Sequence, residues 1–262
     1  MALWTSENLV GADIHGDMAQ GQDFGAHFGP ENIPLGIASS TKHPSAQAVT
    51  RLGNKVIFLA DLNLASQLPE LNLPDGLFSH PTLNSFAALG RTYHRHVREA
   101  VQQLIHNNSL PRACQEPISA VQMHLPVAVG DYTDFSCSPS HNRKAGQALM
   151  GFPPNLPPGY KRLPIGYAGR SSSIVVSGTS IKRPLGQFFK YGQEGLHGGR
   201  KDVVYGPSIS MDYELEMAVV VGKEVPFGDH VMASEAGDHI FGFLLLNDWS
   251  GEYIRDPFPC SK

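Results

Sequence analysis

The chain has 262 residues, enough for one large domain or two modest ones with a sizeable core. Hydrophobic residues at 41% and charged residues at 17% mark a globular chain and exclude a disordered one. A formal net charge of -4 without a long basic run argues against nucleic acid or an anionic membrane surface as the main partner.

In chain order, Met1 to Gly16 lacks an apolar core behind a basic start, so no secretory signal is expected there. No apolar stretch reaches the roughly 18 residues that span a bilayer. Residues 1–20 are polar and patternless and are expected to be disordered. From Ile33 onward, short apolar runs such as Leu35-Gly36-Ile37-Ala38 and Lys55-Val56-Ile57-Phe58-Leu59-Ala60 predict strands of a small β unit. Between Thr82 and Ile105, Leu83, Phe86, Leu89, Tyr93, Val97, Val101 and Leu104 recur at three- and four-residue steps. That spacing predicts one helix, ended by Asn107-Asn108-Ser109 and Pro111. His94 and His96 lie two apart, do not share a face as zinc ligands would, and are read as surface side chains.

A polar linker follows to about Ser119, after which strand character returns in Ser173–Gly178, Leu215–Val221 and the apolar run Ile240 to Leu246. The glycine-rich stretch Tyr191 to Lys201 lacks the ending of a phosphate loop and is read as a surface loop. Cys114, Cys137 and Cys260 are an odd count without zinc spacing, which fits a reducing cytosol. The chain is therefore read as mainly β (α+β). Its expected parts are a disordered segment 1–20, an N-terminal domain with a helix over 21–118, and the first part of a larger, mostly β domain over 119–262.

The sharpest chemical signal is Asp212-Tyr213-Glu214-Leu215-Glu216-Met217-Ala218-Val219-Val220-Val221. In a strand, side chains alternate faces, so Glu214 and Glu216 point the same way, toward the side that carries Ala218 and Val220. Two like charges beside an apolar surface cost several kcal/mol unless something positive lies between them. A divalent cation would supply that charge; an edge strand with both acids in water is the alternative. Asp131 and Asp134 lie in a short aromatic segment, and Asp248 ends the run Ile240 to Leu246. Singly, Asp134 also reads as a turn residue and Asp248 as a helix cap. All-oxygen ligands from separate strands suit Ca²⁺ or Mg²⁺ and not zinc.

Four motifs in order carry a resemblance: Gly130-Asp131-Tyr132-Thr133-Asp134-Phe135 with His141, the stretch Pro164 to Thr179, Met211 to Met217, and Leu246-Asn247-Asp248-Trp249-Ser250. Upstream, Pro81-Thr82-Leu83-Asn84-Ser85-Phe86 matches the start of an N-terminal-domain helix. Together they resemble the fumarylacetoacetase family over roughly Asn32 to Ser250. The resemblance implies an SH3-like N-terminal domain followed by a β-roll domain, usually a homodimer, cytoplasmic and acting in tyrosine and phenylalanine catabolism. The implied reaction is metal-dependent hydrolysis of a carbon–carbon bond in 4-fumarylacetoacetate, giving fumarate and acetoacetate.

By the same resemblance, Asp134, Glu214, Glu216 and Asp248 correspond to metal-binding carboxylates, with Ca²⁺ and Mg²⁺ as the cofactors. His141 corresponds to the catalytic base, and Tyr167 to a tyrosine that contacts substrate. Ser136 stands where the family usually has a substrate-binding tyrosine. After Ser250 the family continues with further strands, a second Mg²⁺ site and the glutamate that orients the catalytic histidine, so the chain reads as a member truncated at its C-terminus. Two expectations follow: an enzyme that, alone or as a dimer, retains the family's hydrolase activity, or an inactive member that at most binds metal or a full-length partner. The missing orienting acid and second metal site predict that normal rates are not reached.

Overall fold

The computed structural model describes residues 24–150, 155–163, 165–189, 203–209 and 211–251. The segment 1–20, the glycine-rich stretch Tyr191 to Lys201 and Cys260 lie outside them. The described residues form two compact units, one made of those from Phe24 to Ala128 together with those from Val175 to Gly251, the other of those within Val129–Ile174.

The first unit begins with β1 (Leu35–Ser40), β2 (Gln47–Leu52) and β3 (Lys55–Phe58). Three helices follow, α1 (Leu64–Gln67), α2 (Asn84–Ala88) and α3 (Arg91–His106), and then β4 (Gln115–Pro117) and β5 (Val121–His124). The strands make one antiparallel sheet of order β4-β3-β2-β1-β5, with Gly36 opposite Val49 and Val49 opposite Phe58. Leu52 pairs with Lys55 across a two-residue loop, and Gly53 takes the positive φ of 58° that such a tight hairpin favours. Phe28, Ala38, Val49, Val56, Phe58 and Met123 pack into a core cluster under the sheet.

The single helix expected between Thr82 and Ile105 is two helices. Gly90 sits between them with φ 87° and ψ 173°, a conformation no helix can pass through. The break turns α3 back so that the His94 ring meets Phe86 at 4.9 Å, and its Nε2–H donates to the Phe86 carbonyl at 2.9 Å. His94 is thus buried, not a surface side chain, and His96 is half-buried. Burial pushes the His94 pKa below the ordinary imidazole value, against the backbone hydrogen bonds to Phe86 and Ala87 that raise it. The unfolded chain therefore takes up the proton first. The stability this neutral ring contributes is present above pH 6.5 and is lost as pH falls toward the lowered folded value.

A second polar cluster ties the β1–β2 loop to the edge strand β4. His43 stacks on Phe58 at 3.8 Å, with Nδ1 2.6 Å from Glu116 Oε1 and Nε2 3.0 Å from Asp61 Oδ2. The Ser40 hydroxyl donates to the same Glu116 oxygen at 2.8 Å. Burial pushes the Glu116 carboxyl up, but the hydrogen bonds from Ser40 and His43 and the nearby positive charges outweigh it, so the net shift is downward. Its contribution is then present above the ordinary value of 4.5 and lost as pH falls through the lower folded value. Glu116→Gln is expected to lower the thermal midpoint at pH 7 and to flatten its acid limb. Melts between pH 7 and 3 check this, and parallel curves for the two proteins would contradict it.

Later in the chain, β8 (Leu185–Phe189) pairs with β9 (Val203–Pro207), and β10 (Asp212–Val221) pairs with β11 (Ile240–Ser250). The β10–β11 ribbon is anchored on α2 and α3. Phe241 meets Phe86 and His94 edge-on at 5.8 and 4.8 Å. A Cβ at Gly222 would lie 2.7 Å from the Ala87 carbonyl oxygen, so only glycine allows that approach. The strand expected at Ser173–Gly178 is instead a 3-10 turn, Ser171–Ser173, followed by irregular chain, with Gly178 at φ 86°. Among the described residues it has no ladder partner, and β-rich composition alone does not make a strand.

In the second unit, β6 (Thr133–Phe135) pairs antiparallel with β7 (Gly166–Ala168), and α4 (Pro139–Met150) lies between them in sequence. Among the described residues, no helix is long and apolar enough to cross a membrane.

Candidate metal and catalytic groups

On the ribbon, Glu214 lies directly opposite Asp248, and Glu216 lies opposite Leu246. Exposure alternates along β10, with Glu214, Glu216, Ala218 and Val220 half-buried and Tyr213, Leu215, Met217, Val219 and Val221 exposed. The shared face of Glu214 and Glu216 expected from the strand period is therefore present, and β11 adds Asp248 to it. Like charges directly opposite one another in an antiparallel pair repel. Ser250 is buried and its hydroxyl donates to Glu214 Oε1 at 3.4 Å. Sequence reasoning passed over this serine, although it stands two residues after Asp248 and so on the same face.

In the second unit, Asp134 stands opposite Tyr167 in the β6–β7 ladder. The Tyr167 hydroxyl donates to Asp134 Oδ2 at 2.5 Å, the short length typical of an O–H to a charged acceptor. His141 lies in the first turn of α4 with its side chain exposed, and its backbone N–H donates to Ser138 Oγ at 3.2 Å. The structure thus joins Asp134 to Tyr167 and sets Glu214 against Asp248, while His141 enters neither pairing. Glu216 and Asp248 on the ribbon, and Asp134 in the second unit, are each half-buried carboxylates, oxygen donors of the kind that ligate a hard metal ion.

The two parts of the chain match two family models in order. Residues 31–126 match the fumarylacetoacetase N-terminal model, and residues 131–258 match the fumarylacetoacetate (FAA) hydrolase C-terminal model. The chain is 41% identical over 242 residues to fumarylacetoacetase fahA of Aspergillus fumigatus, covering 87% of this chain and 55% of the relative. It is 36% identical over 239 residues to the fumarylacetoacetase of Arabidopsis thaliana, with coverage of 88% and 55%. For the human fumarylacetoacetase the identity is 34% over 246 residues, with coverage of 91% and 56%. The chain spans about half the length of the curated relatives it matches. It is homologous to the fumarylacetoacetase hydrolases. It belongs to the fumarylacetoacetase family.

Proposed function

We propose that the chain carries the cation-binding and proton-transfer groups of a fumarylacetoacetase, hydrolysing the carbon–carbon bond of 4-fumarylacetoacetate to fumarate and acetoacetate. The observation that carries the reading is the opposition of Glu214 and Asp248, with Glu216 beside them, on the half-buried face of the ribbon. Such a face fits a hard divalent cation, because the donors are all oxygen and carry like charges close together. Asp134, Glu214, Glu216 and Asp248 are the residues that would hold Ca²⁺ or Mg²⁺. When bound, the cation supplies Lewis-acid polarisation of a substrate carbonyl.

The chain's own groups do the rest. His141 is exposed to solvent, and a neutral imidazole there can take a proton from the attacking water and return it to the departing carbon. Tyr167, fixed by its hydrogen bond to Asp134, presents a phenol to the substrate at a set orientation. The N-terminal sheet is then the SH3-like module of the family, and the β10–β11 ribbon the first strands of its β-roll, assembled as a homodimer.

The test is a hydrolysis assay of the purified chain on fumarylacetoacetate, with calcium or magnesium, His141→Ala beside it. Loss of the diketone absorbance is expected, reduced about 10²–10⁴-fold in the variant. Folded protein that binds calcium but shows no His141-dependent turnover would leave cation binding standing and remove the catalytic reading.

A further inference from the structure

The β6–β7 ladder that presents Asp134 is short, and its strands leave no room for side chains at two positions. Thr133, Asp134 and Phe135 pair with Ala168, Tyr167 and Gly166, and the Gly169 N–H extends the ladder to the Tyr132 carbonyl at 2.9 Å. At both ends an aromatic ring from the Asp134 strand lies across a glycine of the opposing strand. A Cβ at Gly166 would stand 2.7 Å from the Asp134 carbonyl oxygen and 2.7 Å from the Phe135 ring. A Cβ at Gly169 would fall within the Tyr132 ring. Neither glycine has a positive φ, so it is space and not backbone conformation that these positions require.

The arrangement has a consequence for Asp134. A three-residue ladder specifies its register weakly, and a slip of one residue would turn Asp134 to the other face. A ring covering a glycine on the paired strand supplies the missing side-chain contact and pins the register. With Tyr132 before Asp134 and Phe135 after it, the bracket fixes the one alignment in which the Tyr167 hydroxyl meets the Asp134 carboxylate.

We propose that Gly166 and Gly169 are positioning residues, seats for the Phe135 and Tyr132 rings that hold Asp134 in register for cation binding. This rests on the reading of Asp134 as a ligand. Tyr132 and Gly169 should then act as one unit.

The test is calcium titration by calorimetry on the full chain, with thermal melts on the same samples. The variants are Tyr132→Leu, Gly169→Ala, their double mutant, and Asp134→Ala as the reference. Tyr132→Leu and Gly169→Ala are each expected to weaken calcium about 10- to 100-fold, the range for groups that orient a ligand. The double mutant should be no weaker than either single variant, because both remove the same contact. Tyr132→Leu adds no bulk to the ladder and carries the test if Gly169→Ala does not fold. Unchanged affinity in both single variants, or effects that add, beside a weakened Asp134→Ala would overturn the positioning role alone. Unchanged affinity in Asp134→Ala would remove the ligand reading and this inference with it.

Discussion

Asp248→Asn is expected to move stability in opposite directions with and without a divalent cation. Asp248 faces Glu214 directly across the ribbon, and Glu216 lies on the same half-buried face. In chelator, neutralising one of two opposed carboxylates removes a repulsion, so the thermal midpoint should rise. In calcium, the same change removes a charged ligand, and the affinity should fall by more than about 100-fold. That bound follows from scale, since groups one step removed from a ligand already cost 10- to 100-fold. The cation stabilises the folded state in proportion to its occupancy, so the calcium-induced rise in midpoint seen in the parent should shrink or vanish. Thermal melts in calcium and in chelator, with calorimetric titration, read both limbs. A variant less stable than the parent in chelator, with calcium affinity intact, would show that the facing acids are a solvated edge and not a site.

Phe86→Ala is expected to cost about 3–5 kcal/mol of stability, the range for truncating a fully buried aromatic. Phe86 is 1% exposed and meets Phe78, His94 and Phe241 edge-on at 5.3, 4.9 and 5.8 Å. Those partners come from three places in the chain: the turn before α2, α3, and the start of β11. One truncation therefore opens the N-terminal packing and loosens the foot of the ribbon together. It also admits water beside His94, so the acid sensitivity that its burial creates should diminish. Guanidinium unfolding of parent and variant measures the first effect, and repeating it at pH 7.5 and 5.5 measures the second. A loss below about 1 kcal/mol would mean that the site collapses without a cavity and that this cluster does not hold the ribbon.

The features legible in the sequence were those set by local period. The alternation in Asp212–Val221 put Glu214 and Glu216 on one face because a strand has period two, and the structure has them there. The strand signals at Leu35 and Lys55 and the helix end at Asn107 were legible for similar local reasons. What periodicity could not supply was pairing. Nothing near Glu214 announces Asp248 as its opposite number, because the register is set by a partner strand beyond a long connection. The helix break at Gly90 escaped because the apolar rhythm continues through it, while one glycine with positive φ redirects the chain. His94 was misread for the same reason, since its burial depends on Phe241 arriving from β11. Ser173–Gly178 shows the converse error, a strand-like composition without a neighbour to pair with.

The ribbon's strict alternation also separates two tasks that most strands mix. Leu215, Met217 and Leu245 stand 73, 69 and 68% exposed on the face away from the carboxylates. An exposed apolar face on a two-stranded ribbon invites association in solution. Because every carboxylate lies on the opposite face, threonine or lysine at those three positions changes solubility without altering a single oxygen of the acidic face. Handling properties and chemistry can therefore be tuned by separate sets of residues on the same pair of strands.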